Sequence, residues 1–317
     1  MKRIHKFLSL ILIFICVGVT ASGEEIIMEI IQDPGFVNGA TVISPSKPMR
    51  MVGRIRLSEE GSNQPDWLLT QWNSRNNITR IPLVIDENGA YVYQNEFKTV
   101  AREKDGTLTL RVNGGEEYVR TRTSLLDSWV HLYFEQRYNE YTPLAGAKRA
   151  DLKLSFSVPH FEDRTPAGEL NPNLHAVIAV FYITLADDNP ASPCYGQFIN
   201  FCVMLYDNRT GITREETHMD SGQNPIDATN MIVYTMDSSK YASPVYADGE
   251  WHDVDIDLLP YFEHSLNLAH KSGCMTTTKF EDLAIRSIFF GFEVPGVMDC
   301  EMKIRHPQLT LVKEAEE

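Results

Sequence analysis

The chain has 317 residues, of which 29 are lysine or arginine and 43 are aspartate or glutamate, giving a formal net charge of −14 at pH 7. Nucleic acids and anionic membranes are bound mainly through basic side chains. This charge therefore argues against both, and against a strongly acidic polymer, unless a local basic patch exists. The length is sufficient for one large all-β domain or two smaller ones.

The N-terminus has the layout of a secretory signal peptide. Basic residues precede an apolar run at 7–19, and small and polar residues follow at 20–23. The run is shorter than the about 20 residues that a membrane-spanning helix needs. Residues 1–23 are therefore predicted to be removed, leaving a secreted or periplasmic chain without a transmembrane segment. A lipoprotein signal at Cys16 and an uncleaved anchor are the alternatives.

Strand signals dominate the rest of the chain, because Gly and Pro separate short runs rich in β-branched and aromatic residues. The first predicted strands are residues 51–57 and 106–112. The third, residues 129–136, alternates in polarity, so that its two faces differ. One face is predicted to be apolar, with Val130, Leu132 and Phe134. The other face is predicted to carry Trp129, His131, Tyr133 and Glu135.

The second half continues the same pattern. Residues 152–158 alternate, and residues 175–185 and 197–206 are apolar on both faces, which is typical of central strands. Residues 258–272 are the best helix candidate, and Pro260 limits the length of that helix. Further strands are predicted at 231–235, 251–257, 286–294 and 300–312.

These elements predict an all-β fold, namely an antiparallel β-sandwich of the jelly-roll type with one short helix near residues 258–270. A single domain is predicted over residues 24–317. Its weakest seam is at residues 115–128, and a separate N-terminal module remains an alternative.

Two C-terminal segments resemble the jelly-roll domains of carbohydrate-binding modules and lectin-like sandwiches. Residues 248–257 read DGEWHDVDID and are similar to the Gly-x-Trp-x-x-x-x-Ile-Asp-Leu strand of such modules. Residues 288–304 are similar to their Ile-x-Phe-Gly-x-Glu strand and the antiparallel strand that follows it. The resemblance implies a jelly-roll fold and a glycan ligand, and it implies no catalytic residue.

The polar face of the 129–136 strand has the side-chain types that sugars require. Aromatic rings stack on the C–H faces of sugars, while carboxylates and amides hydrogen-bond to their hydroxyls. The predicted glycan-binding residues are Trp129, His131, Tyr133, Glu135, Asn200 and Tyr206. The alternative is that these rings only cover a neighbouring strand.

Two carboxylates are candidates for catalysis. If the strands at 129–136 and 286–294 are neighbours, Glu135 and Glu293 could form a pair, with His131 or Tyr133 as the acid or base partner. Carboxyls about 5–5.5 Å apart suit a retaining glycosidase, and about 6.5–9.5 Å an inverting one. The alternatives are that Glu293 pairs with an arginine such as Arg137 or Arg286, or that it caps the turn at residues 295–296.

Cysteines and acidic loops suggest two structural features. Beyond residue 23 the cysteines are even in number, which predicts either two disulfides or buried free thiols. If each disulfide joined the cysteines that are nearest in sequence, Cys194 would pair with Cys202 and Cys274 with Cys300. The loop of Asp187, Asp188 and Asn189 offers oxygen ligands to calcium, although solvated loops have the same composition.

Three functions are consistent with these features. The first is an exported protein that binds a glycan or polysaccharide without catalysis. The second is a jelly-roll glycoside hydrolase or polysaccharide lyase that uses Glu135 or Glu293. The third is a structural protein of the cell envelope.

Overall fold

The computed structural model describes residues 25–61, 64–220 and 229–315. The predicted signal peptide lies outside these ranges. The strands, in chain order, are β1 (Glu25–Glu29), β2 (Ala40–Ile43), β3 (Met51–Ile55), β4 (Trp67–Thr70), β5 (Val84–Ile85), β6 (Tyr91–Gln94), β7 (Lys98–Arg102), β8 (Leu108–Asn113), β9 (Val130–Pro143), β10 (Ala147–Asp163), β11 (Ile178–Asp187), β12 (Phe198–Asp207), β13 (Glu216–Met219), β14 (Ile232–Thr235), β15 (Trp251–Asp257), β16 (Leu283–Val294) and β17 (Met298–Glu314). The described helices are α1 (Gly114–Glu117), α2 (Leu259–Lys271) and short 3-10 turns at Ile78–Arg80, Ser238–Lys240 and Phe280–Asp282.

The strands form two sheets that pack as a β-sandwich, which confirms the predicted jelly-roll fold class. The first sheet has eight strands, in the order β15-β10-β17-β8-β7-β6-β5, with β1 added beside β17. The second has nine strands, in the order β13-β14-β12-β11-β16-β9-β4-β2-β3. Most pairings are antiparallel, and the exceptions are β2 with β4 and β12 with β14.

Alternating side chains on β9 and β10 show why the sheets face each other. Val130, Leu132 and Phe134 on β9 are buried in the core, as the alternation predicts. Leu152 and Phe156 on β10 enter the same core from the opposite sheet. Because successive side chains of a strand point to opposite faces, the polar face of β9 lies outside the sandwich.

The helix predicted near residues 258–270 is confirmed as α2. Pro260 occupies its first turn, where a missing backbone N–H costs nothing, and Phe262, Leu266 and Ala269 are buried. The helix therefore covers one end of the core with a single apolar stripe.

Strands from the first third of the chain pair with strands from the rest. β4 pairs with β9, and β8 pairs with β17. Each sheet thus contains strands from both sides of the predicted seam at residues 115–128. The division into one domain over residues 24–317 stays a prediction. Among the described residues, no helix is both long enough and apolar enough to span a membrane.

The predicted disulfides are not present. Cys194, Cys202, Cys274 and Cys300 are all free, and all except Cys274 are buried. Cys202 lies on β12 and Cys300 lies on β17 in the other sheet, where each thiol is packed as a small apolar group. The alternative of buried thiols therefore describes this chain better than the disulfide pairing.

Candidate functional site

A large cavity lies on the outer face of the nine-stranded sheet. Its volume is about 870 Å³, and its wall comes from four neighbouring strands, β12, β11, β16 and β9, together with loops around residues 45–49 and 72–73 and the residues Asp220 and Thr229. Strands are about 4.8 Å apart, so the cavity crosses roughly 14 Å of the sheet. We refer to it as the cleft.

Aromatic rings form much of the wall of the cleft. Trp129 and Trp72 flank His131, with ring centroids 5.5 and 5.4 Å from its imidazole. Further rings line the same space, from β9, β12 and β16. Such rings offer flat apolar surfaces whose burial against a ligand is favourable. The aromatic residues of the cleft wall are Trp72, Trp129, Tyr138, Tyr141, Phe198 and Phe289.

Glu135 is held in an ion pair on this wall. Arg137 follows it by two positions, so both side chains point to the same face of β9. Arg137 Nε donates to Glu135 Oε1 at 2.6 Å, and Nη2 donates to Oε2 at 2.9 Å. The paired carboxylate raises the pKa of Arg137. Glu135 is therefore a neutralised carboxylate, with 7% of its surface exposed.

Glu293 is held by aromatic donors. Tyr133 donates its hydroxyl to Oε1 at 2.6 Å, and Trp129 Nε1 donates to Oε2 at 3.0 Å. His131 Nε2 is 3.8 Å from the same Oε2. Tyr133 is buried under the wall against Trp72, and burial, followed by the nearby Glu293, raises its pKa. Burial lowers the pKa of His131, which favours a neutral imidazole.

Glu135 and Glu293 share a face of the sheet without forming a pair. Their strands are neighbours, as the hydrolase interpretation required. In the register of these strands, however, Glu135 lies opposite Phe289 and Glu293 lies opposite His131. Four residues along the strands separate them, which corresponds to about 13 Å. This is the spacing of their backbone positions, and it is longer than the about 5–9.5 Å between the two carboxyls of a glycosidase. The two carboxylates also have separate partners, since Glu135 binds Arg137 and Glu293 binds Tyr133 and Trp129. The proposed alternatives for Glu293, Arg137 and Arg286, are not its partners either.

Asn200 lies in the cleft with two hydroxyls beside it. Thr184 Oγ1 donates to Asn200 Oδ1 at 3.2 Å and accepts from Ser287 Oγ at 2.9 Å. These three residues come from β12, β11 and β16 and all line the cleft. We call them the polar wall. It provides hydrogen-bonding groups next to the rings of Phe198 and Phe289.

Tyr206 does not line the cleft, in contrast to Asn200, and a β-bulge is the cause. Ala179 pairs with Tyr206 and Val180 with Met204, so Leu205 is an extra residue in β12. A one-residue shift moves every later side chain to the other face. Tyr206 consequently points into the core, where its ring centroid is 6.3 Å from that of Phe161 in the other sheet.

The calcium prediction finds no matching ligand set in its loop. Asp187 is fully buried, and its Oδ2 accepts hydrogen bonds from Ser192 Oγ and Thr278 Oγ1, both at 2.6 Å. Asn189 instead donates its side-chain amide to Asp282. Asp188 is exposed beside them. Hydroxyl donors thus satisfy the carboxylate that a cation would need.

A buried network supports the loop that presents Trp72. Lys98 Nζ donates to the carbonyl of Asn76 at 2.6 Å and lies 3.6 Å from Glu117 Oε1. Glu117 in turn accepts from Ser74 Oγ and from the backbone N–H of Arg75, both at 2.7 Å. Burial lowers the pKa of Lys98 to about 8, so it remains mostly protonated at pH 7.

One of the two segments that resemble carbohydrate-binding modules lies elsewhere, whereas the other, residues 288–304, includes Phe289 of the cleft wall. Residues 251–257 form β15, the edge strand of the eight-stranded sheet, and so belong to the sheet opposite the cleft. The ring of Trp251 is covered by the Arg305 guanidinium at 4.0 Å. The resemblance of residues 248–257 therefore describes a strand of the sandwich and does not locate this cleft.

Several cleft residues were missed by the sequence analysis. Phe198 is two residues from Asn200 on β12, and Phe289 is four residues from Glu293 on β16, so each points to the same face as its predicted neighbour. The alternation of the strands alone could therefore have identified both. Tyr138, Tyr141 and Arg286 lie where the register of β9 or β16 is irregular, and a period of two does not place them. Trp72 comes from a loop that carries no such signal.

No protein-family model matches this chain, and no curated protein matches it. Among solved structures, a family 12 xyloglucanase from Bacillus licheniformis is 12% identical with a TM-score of 0.41, covering 73% of this chain and 96% of its own. An endoglucanase from Rhodothermus marinus is 9% identical with a TM-score of 0.37, covering 74% and 97%. A wild-type xylanase is 11% identical with a TM-score of 0.42, covering 88% and 92%. A likeness at this level does not assign a function.

Proposed function

We propose that this protein binds a polysaccharide in the cleft on the nine-stranded sheet. The observation that carries the proposal is the combination of flat aromatic rings with hydrogen-bonding side chains along one open cavity. Trp129 and Trp72 provide surfaces for the apolar faces of sugar rings. The polar wall and the pair of Glu135 with Arg137 provide partners for sugar hydroxyls.

The distance between the two sides of the cleft supports an extended ligand. Trp129, on one side, is fixed by its hydrogen bond to Glu293 and by Arg122, whose guanidinium carbon lies 5.1 Å from the indole centroid. Phe198 and Asn200 are on β12, three strands away in the sheet. A chain of several sugars can contact both sides, whereas one monosaccharide cannot span about 14 Å.

The experiment is a binding screen of the chain from residue 24 on a broad array of neutral and acidic polysaccharides. Trp129→Ala is expected to weaken binding to the positive polysaccharides by about 1–3 kcal/mol, roughly 5- to 150-fold in Kd. Trp129→Phe keeps an aromatic ring and is expected to retain more of the affinity. Trp251→Ala removes an indole from the opposite sheet and is the matched control.

Two results would contradict the proposal. The first is an absence of saturable binding to any polysaccharide by the folded protein. The second is a loss of binding in Trp251→Ala together with normal binding in Trp129→Ala, which would place the ligand on the other sheet.

Hydrolysis or elimination of the bound polysaccharide is the second candidate. It is favoured by one observation, namely that Glu293 and His131 are close together at the Trp129 side of the cleft. The separation of Glu135 from Glu293 counts against a two-carboxylate mechanism. Incubation of each bound polysaccharide with the protein, followed by reducing-end and unsaturated-product assays, tests this candidate. Turnover that Glu293→Gln abolishes would establish it, and no turnover would exclude it.

A further inference from the structure

Arg286 occupies an unusual backbone position within the cleft. Between β11 and β16, Thr184 pairs with Ser287 and Leu185 pairs with Ile285, so Arg286 is an extra residue on β16. Such bulges turn a side chain away from the direction that strict alternation would give it. As a result, Arg286 and Ser287 both line the cleft although they are adjacent in sequence.

The guanidinium of Arg286 is held between two aromatic rings. Its central carbon lies 5.8 Å from the ring centroid of Tyr141 and 5.7 Å from that of Phe198. Cation–π contacts of this kind orient the planar group without neutralising it. The two rings thus hold a positive charge at the cleft wall.

Arg286 differs from its neighbour Arg137 in its electrostatic partners. Arg137 is neutralised by the bidentate contact with Glu135. Arg286 makes no ion pair or hydrogen bond with any residue in the ranges 25–61, 64–220 and 229–315. Its N–H donors are therefore available to a ligand, and guanidinium donors prefer the paired oxygens of carboxylates and sulfates.

The charge of the cleft also differs from that of the whole chain. The described ionic residues of its wall are basic at Lys47, Arg137 and Arg286 and acidic at Glu135 and Asp220. Glu293, bound to Trp129 at one side, is a third acidic group, so the cleft has equal numbers of basic and acidic side chains in a chain whose formal charge is −14. Acidic residues elsewhere on the surface contribute little, because exposed charges are screened over about 8 Å at physiological ionic strength.

We propose that the cleft selects an acidic polysaccharide, whose uronate carboxylate or sulfate ester binds Arg286. This inference rests on the proposed polysaccharide-binding function and specifies the ligand class. The polar wall is adjacent to Arg286, because Ser287 follows Arg286 in sequence and donates a hydrogen bond to Thr184. The bulge thus places one positive charge that no described carboxylate neutralises in the wall of the cleft.

The test uses an array on which each acidic polysaccharide is printed beside its neutralised form. Alginate, pectate and hyaluronan are paired with their carboxyl-reduced forms, and carrageenan with its desulfated form. We expect at least tenfold tighter binding to one acidic member than to its neutral counterpart. The pair that shows this preference distinguishes carboxylate from sulfate. The preference is also expected to weaken as the salt concentration increases.

Variants then locate the preference. Arg286→Gln is expected to lower the ratio of affinities for the acidic and neutral forms from at least tenfold to about one, and Arg286→Lys to retain a part of that ratio. Arg149→Gln removes one positive charge from β10 in the opposite sheet and is the matched control. Equal binding of acidic and neutral forms, or a preference that persists in Arg286→Gln, would overturn the assignment to Arg286.

The two proposals fail in different ways. If neutral polysaccharides bind as tightly as acidic ones and Trp129→Ala weakens both, the binding cleft stands and the acidic ligand class is wrong. If the folded protein binds no polysaccharide of either kind, both proposals are wrong.

Discussion

The hydroxyl of Tyr133 donates a 2.6 Å hydrogen bond to Glu293 across two neighbouring strands. Tyr133 has 2% of its surface exposed, so it acts from beneath the cleft wall. The bond fixes one oxygen of Glu293, while Trp129 fixes the other. A buried tyrosine thereby determines how the carboxylate and the indole of the cleft are placed.

Tyr133→Phe is expected to destabilise the folded protein by about 1–3 kcal/mol, because Glu293 then loses a donor in a mostly buried position. Urea denaturation of the variant and the parent protein measures this difference. Tyr195→Phe, which alters an exposed tyrosine, is the control and should be neutral. Equal stability of Tyr133→Phe and the parent would show that the hydrogen bond has no net stabilising effect.

The Lys98 network gives a prediction about the loop that carries Trp72. Lys98→Met leaves Glu117 buried without its counter-charge, and we expect a loss of about 3–5 kcal/mol in the free energy of unfolding. Adding Glu117→Met should recover much of that loss, since apolar pairs often replace buried ion pairs at little cost. Chemical denaturation of both variants checks this. A double variant that is no more stable than Lys98→Met would contradict the prediction.

The protonation of His131 gives a prediction about pH. Because burial lowers its folded-state pKa below the ordinary value of 6.5, the unfolded chain takes up a proton first as the pH falls. Its contribution to stability is therefore complete above pH 6.5 and is lost as the pH decreases toward the folded-state pKa. Glu293 opposes the shift without reversing its direction.

Denaturation at pH 7.5 and pH 5 should thus show a larger acid-induced loss of stability in the parent protein than in His131→Asn. His218→Asn changes an exposed histidine on β13 and serves as the control. The same acid-induced loss in His131→Asn as in the parent would mean that His131 is not responsible.

The free cysteines can be counted directly. The chain from residue 24, unfolded without reductant, should react with a thiol reagent at all of Cys194, Cys202, Cys274 and Cys300. In the folded protein, Cys274 should react first, because the other three are buried. If reductant is needed to detect the thiols of the unfolded chain, the cysteines are paired and this description of them is wrong.

The residues of β9 show why part of the site was predictable from sequence. Val130, Leu132 and Phe134 alternate with Trp129, His131 and Glu135, and one side of the strand packs in the core. A half-buried strand encodes its own orientation in this alternation. The composition of the polar face therefore located one wall of the cleft.

Tyr206 and Arg286 show why the rest was not predictable. Tyr206 follows a bulge in β12, and Arg286 is itself the bulged residue of β16. Both bulges depend on how these strands pair with β11. Alternation counted along a single strand does not contain that information. Short strands such as β2 and β4 were also missed, since they pair in parallel with each other although β3 lies between them in sequence.

The hydrogen bonds of the polar wall have a direction. Ser287 donates to Thr184, and Thr184 donates to Asn200 Oδ1, which leaves the NH₂ of the Asn200 amide as the group that a ligand can meet. This amide and the guanidinium of Arg286 both offer hydrogens. Under the proposed function, these two donors would favour a sugar that presents oxygens without protons of their own at that end of the cleft.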